Sequence, residues 1–100
     1  MFEDTADRWI EELKAQGKLQ DADGAELRRL AADYARRIEE FYDEAVRRQL
    51  EPVGKVAEYD RMILFDTQYL NKYLNQTIPG YPAFRFEVLQ AARKAILGDS

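Results

Sequence analysis

Glu39, Glu40, Asp43 and Glu44 are the residues whose types and spacing come closest to a chemical site. Glu39 and Asp43 are four residues apart, as are Glu40 and Glu44, so each pair shares one side of a helix. Carboxylates so placed can hold a hard cation such as magnesium, or perturb one another's protonation. They flank Phe41 and Tyr42 on the polar side, however, with arginines in reach. The expectation is a solvated face: no catalytic residue, no metal site and no cofactor.

The remaining inventory points the same way. The chain has no histidine and no cysteine, and its one serine is Ser100. That removes the usual nucleophile–base pairs, the usual zinc sites and the Glu-x-x-His ligand pairs of di-iron bundles. Five scattered glycines match no phosphate-binding fingerprint. Asp21-Ala22-Asp23-Gly24 has the outline of a calcium loop, but Leu30 stands where the bidentate glutamate belongs. An enzyme is not expected.

Two binding chemistries remain. Tyr69 and Tyr73 lie beside amide side chains on one short segment, and Tyr81 and Phe84 follow it. Amphipathic aromatics of this kind are favoured at protein interfaces, so Tyr69, Tyr73, Tyr81 and Phe84 are the candidate protein contacts. The alternative is nucleic acid. Lys72, Arg85, Arg93 and Lys94 mingle with those aromatics and with Phe86, and cations on phosphates with aromatics on bases would make a binding surface. Four cations are a thin footprint on a chain of pI ≈ 4.9.

Charge is uneven along the chain. The net charge is −4; residues 1–50 hold 13 acids and 9 bases, whereas residues 67–98 hold one acid and four bases. The asymmetry can orient a partner, a second copy of the chain included. The composition, 46% hydrophobic and 34% charged, is that of one globular domain spanning 1–100. No apolar run reaches the roughly 18 residues that suggest a membrane span. MFEDTADRW is acidic where a signal peptide would be basic and then apolar, so a cytoplasmic protein is expected.

The elements that must position these residues are helices. From Asp23 to Leu50, apolar side chains recur at Leu27, Leu30, Ala31, Tyr34, Ile38, Phe41, Tyr42, Ala45, Val46 and Leu50. Steps of three and four predict one long helix. Asp23 would cap it, with Glu26 reaching back. Asp33–Arg37, Asp43–Arg47 and Glu44–Arg48 would pair along its outer face. A helix of that length is about 40 Å long at 1.5 Å per residue. A compact domain of this size is nearer 33 Å across, from a radius of gyration of about 13 Å. Either the helix bends, or an end projects, or a second chain covers the surplus.

Shorter helices are predicted around it. The first runs from Thr5 to Gln16, with Asp4 or Thr5 as cap, Trp9 as core anchor and Gly17 as stop. Pro52 ends the long helix. A third helix spans Lys55 to Phe65, its Met62–Phe65 run buried. Asp66 would cap a fourth from Thr67 to Gln76. Pro79-Gly80 suits the centre of a type II turn, and Pro82 the first turn of a fifth helix ending at Leu97. Short connections imply antiparallel neighbours in one all-α bundle of about five helices around the long one.

With the helices placed, Trp9–Leu13, Leu27–Leu50 and the run Tyr-Leu-Asn-Lys-Tyr-Leu-Asn-Gln-Thr-Ile-Pro-Gly-Tyr at 69–81 carry a resemblance. The chain resembles a family of short all-helical bacterial domains of no assigned activity. The resemblance implies a bacterial intracellular origin and supplies no functional residues. Together these observations predict a small helical protein-interaction or assembly module, with a homodimer as one form of it.

Overall fold

In the computed structural model, residues 1–72, 74 and 77–98 are described, with the backbone alone at 21 and 22. Four α-helices follow one another: α1 at Glu3–Ala15, α2 at Asp21–Arg47, α3 at Pro52–Gln68 and α4 at Tyr81–Leu97. One 3-10 turn lies at Leu70–Lys72. The long helix α2 packs against all three others. Compared with five predicted helices there is one fewer, because the predicted break at Asp66 does not occur.

Asp66 lies inside α3, not at a helix start. Its side chain is fully buried, and Tyr34 and Arg85 donate to its two oxygens. A carboxylate used by two neighbouring helices is not available to cap its own chain, so α3 runs on to Gln68. The predicted fourth helix is replaced, where described, by the 3-10 turn. Pro52 does more than end α2. Glu51 is extended (φ −72, ψ 166) and Pro52 opens α3, where its missing N–H costs nothing.

The other ends are set by backbone geometry. At the end of α1, Gly17 turns left-handed (φ 70), Lys18 N–H bonds Leu13 O at 2.9 Å and Gly17 N–H bonds Lys14 O at 3.0 Å. This is a Schellman closure, as the glycine predicted. Residue 49 closes α2 in the same way without glycine: Gln49 takes φ 52, and Leu50 N–H reaches Ala45 O at 3.2 Å. That stops α2 three residues short of the predicted Leu50. Both predicted N-caps are absent. α1 starts at Glu3 and α2 at Asp21, neither with a side-chain cap. Glu26 bonds Arg29 rather than the helix start.

The length of α2 has a simple resolution. The molecule is itself elongated, 45 × 24 × 20 Å. Twenty-seven residues at 1.5 Å make about 40 Å, so α2 is the long axis of the fold and needs no second chain to cover it. Helix α1, with 13 residues, is half as long. Its first turn sits at Glu39, which accepts from Phe2 N–H at 3.0 Å and lies 3.1 Å from the Met1 amino group. Helix α1 packs on α2 and α4. The core it seals contains Trp9, Ile10, Tyr34, Ile38, Phe84 and Val88.

Candidate functional site

Among the described residues, ring contacts join seven aromatics into two groups, one about Phe84 and the other about Phe65. In the first, Trp9 stacks on Phe84 (4.6 Å, 11°), and Tyr34 and Tyr81 tilt against the same ring. Trp9 Nε1–H donates to Pro79 O at 3.0 Å. Tyr81 N–H closes the turn on Ile78 O at 3.1 Å, with Gly80 at φ 77, as the Pro-Gly pair predicted. This group is shut: all four aromatic side chains are buried.

Beneath it lies a polar network. The Tyr34 hydroxyl donates to Asp66 Oδ1 at 2.7 Å, and Arg85 Nε donates to Asp66 Oδ2 at 2.9 Å. Tyr81 donates to Asn71 Oδ1 at 2.9 Å. Burial, then the hydrogen bond to Asp66, push the Tyr34 phenol far above its ordinary value. Burial chiefly raises Tyr81 as well. Burial opposes the charge on Arg85, but its hydrogen bond and charge pairing with Asp66 outweigh that and raise its pKa. These bonds tie α2, α3 and α4 together.

The second group is open. Phe41 of α2 contacts Phe65 of α3 at 5.8 Å, and Phe65 contacts Tyr69 at 5.2 Å. Only α2, α3 and the segment after α3 form this side. A groove of about 600 Å³ opens between α2 and α3, floored by Phe41 and Phe65 and rimmed by Leu64, Gln68 and Tyr69. Its far end is charged: Glu58, 4% exposed, accepts from Arg61 at 3.0 Å, and Arg48 lies 4.0 Å away. Along α2 the groove runs from Glu40 to Arg48.

The outer face of α3 continues this surface. Val53, Val56, Ala57, Asp60 and Leu64 are all exposed. Val53 reaches 83% exposure and Leu64 56%. The steps Val53–Ala57–Asp60–Leu64 are four, three and four, one helix face. Helix α3 thus has two apolar sides. One, with Met62, enters the core, and the other has no cover among the described residues.

The predicted site residues separate sharply. Tyr69 is 61% exposed and lies on the groove rim. Tyr81 and Phe84, expected as contacts, are each 2% exposed and belong to the core, because Trp9 lies over them. Tyr73 lies outside the described residues. Of the alternative cation set, Arg85 is committed to Asp66 and Lys94 has a partner; Lys72 and Arg93 are exposed on separate elements. The carboxylates are likewise dispersed. Glu39 holds the start of α1, Glu44 pairs with Arg47, and Glu40 and Asp43 are exposed. Asp33–Arg37 forms as predicted at 3.2 Å. Arg47 and Arg48 take Glu44 and Glu58 instead of the predicted Asp43 and Glu44.

Sequence reasoning missed Leu64 and Val53 as surface residues, whereas Met62 is buried and Phe65 half-buried against the core, as expected of the Met62–Phe65 run. The available signal was the distribution of apolar residues around α3: Val53 and Leu64 lie opposite Met62 on the helix, too far round for one core face. No family model matches this chain, nor does any curated protein or solved structure.

Proposed function

We propose that this chain is a non-catalytic protein-interaction or assembly module of the cytoplasm, and that it works through the α2/α3 groove and the adjoining face of α3. The observation that carries the reading is the second apolar side of α3, with Val53, Val56 and Leu64 exposed next to an aromatic groove floor. Exposed apolar side chains beside an aromatic concavity are a usual mark of a protein contact. Aromatic anchors in a concavity suit an incoming side chain. Nucleic acid is supported less, since Tyr81, Phe84 and Arg85 are engaged internally.

A photo-crosslinking amino acid at Tyr69 or Leu64, in cells making the protein, tests the reading. Discrete covalent adducts are expected from both positions and none from Lys18, which is exposed on the opposite half of the molecule's length. Equal or absent adduct formation at all three positions overturns it.

A further inference from the structure

We propose that the groove between α2 and α3 seats an amphipathic helix of another protein, one with a basic and an acidic side chain two turns apart and a large apolar side chain between them. The inference rests on the interaction-module reading and names the chemistry of the partner.

The ion pairs around the groove leave two charges without a close partner. Glu44 is taken by Arg47, which donates to both of its carboxylate oxygens. Glu58 is buried and accepts from Arg61 at 3.0 Å. Arg48 comes only to 4.0 Å of that same Glu58 oxygen, too far for a hydrogen bond, and is about half exposed. Glu40 is exposed, and among the described residues no cation pairs with it. One acid and one base therefore remain, and both line the groove.

These two stand at opposite ends. The contacts Phe41–Phe65 and Arg48–Glu58 set α2 and α3 antiparallel. Glu40 thus lies towards Gln68 and Tyr69, and Arg48 lies beside Glu58. Along α2 they are separated by about 12 Å at 1.5 Å per residue. Between them the floor is Phe41 and Phe65. The groove therefore presents a carboxylate, an aromatic floor and a guanidinium in a row. Its complement is a cation, an apolar side chain and an anion in the same order.

A helix supplies that row with one face. Side chains seven or eight residues apart lie two turns apart, about 11–12 Å, and the third or fourth residue falls between them. The channel between two packed helices is also where a third helix seats, as α4 does on the core side of this same pair. A nucleic-acid strand is a poorer occupant: its backbone is anionic throughout and would bring phosphate onto Glu40.

Three fluorescent helical peptides of about 16 residues test this, long enough to hold a helix alone. All carry Leu and Phe at the centre. The charged pair flanking that centre, two turns apart, is Lys with Glu, Lys with Lys, or Glu with Glu. Fluorescence anisotropy at low salt, with the full chain, reads their binding. The wild-type chain should bind the Lys–Glu peptide roughly three- to tenfold more tightly than either like-charged one. Glu40→Lys should move the preference to the Glu–Glu peptide, and Arg48→Glu to the Lys–Lys peptide. Glu40 has no ion pair to lose, so its variant keeps the test sound if Arg48→Glu disturbs Glu58. Absence of binding by all three peptides overturns the proposal. So do equal affinities on the wild-type chain, or preferences that do not follow the variants. Crosslinks at Leu64 and Tyr69 that join two copies of this chain also overturn it, naming self-docking instead. If the peptides fail while crosslinks to other proteins form at those positions, the charge pattern fails and the interaction reading stands. If crosslinks are also absent, both fall.

Discussion

The two aromatic groups carry similar chemistry and differ in exposure. Each lies beside a buried carboxylate on α3. At one end Trp9, Tyr34, Tyr81 and Phe84 are closed over Asp66, whose partners Tyr34 and Arg85 come from other helices. At the other end Phe41, Phe65 and Tyr69 open into a groove, and Glu58 is held by arginines about half exposed or more. The difference is which helices meet there. Helix α1 packs on α2 and α4 and brings Trp9 over Tyr81 and Phe84, whereas the groove is lined by α2, α3 and Tyr69. Aromatic composition therefore does not decide whether a cluster is core or surface; whether a further helix packs over it does.

The strongest way to break this comparison is to remove matched groups from each end. Asp66→Ala should cost roughly 3–5 kcal/mol, because it leaves Arg85 and the Tyr34 hydroxyl without their buried partner. Glu58→Ala should cost less than about 1 kcal/mol, because Arg48 and Arg61 keep their access to water. Phe84→Ala should likewise cost roughly 3–5 kcal/mol and Tyr69→Ala under about 1 kcal/mol. Urea titration of the four variants measures all of this. Equal losses at the two ends would mean that the open end is packed as tightly as the closed one.

A smaller effect is expected at the turn that α1 holds down. Gly80 is left-handed at φ 77, and a Cβ there would lie 3.0 Å from Trp9 Nε1. Gly80→Ala should destabilise by about 1–2 kcal/mol from the backbone alone. It should also disturb the Trp9–Pro79 hydrogen bond, visible as a shift in the emission of the one tryptophan. An unchanged emission spectrum would show that the turn does not depend on that contact.

How much of this was legible beforehand follows from the same geometry. The stripe from Leu27 to Val46 is amphipathic with one clean face, so α2 was readable to within three residues at each end. The Pro79-Gly80 turn and the Gly17 stop were readable because each depends on a residue with a single conformational role. Asp66 was not. A lone aspartate before a threonine has the local signature of a cap, and only Tyr34 and Arg85, 32 and 19 residues away, make it an interior residue. Tyr81 and Phe84 were misplaced for a related reason. Nothing local reports that Trp9, some 70 positions earlier, lies over them. Leu64 failed in the other direction: an apolar run looks buried unless the number of faces it can occupy is counted.

Glu39 holds the start of α1 on α2, and its titration reports whether α1 stays docked. Its carboxyl is held below the usual carboxylate range, chiefly by the Phe2 N–H. A depressed folded value means that the unfolded chain binds the proton more readily. The contribution is therefore full above the unfolded value of about 4.3 and is lost as pH falls through the folded value. Glu39→Gln should remove about 1 kcal/mol at neutral pH. The gap between wild type and variant should narrow in acid, as seen in urea midpoints across pH. A gap independent of pH would assign the loss to shape rather than charge.

The smallest expected effect is a gain. Helices α1 and α2 end in the same hydrogen-bonded closure, one with Gly17 at φ 70 and the other with Gln49 at φ 52. A side chain in the left-handed region crowds the following carbonyl, a cost of about 1–2 kcal/mol that glycine avoids. Glycine also gains freedom in the unfolded chain, which returns part of the difference. Gln49→Gly should therefore stabilise the protein by about 0.5–1 kcal/mol, read as a raised thermal midpoint. The residue is exposed and lies beyond the Phe41–Tyr69 groove. Its substitution should leave crosslinking at Leu64 and Tyr69 unchanged. A gain in stability with no change in crosslinking would place the strain in the helix end alone. A loss of crosslinking would mean that the end of α2 belongs to the contact surface, extending it past α3.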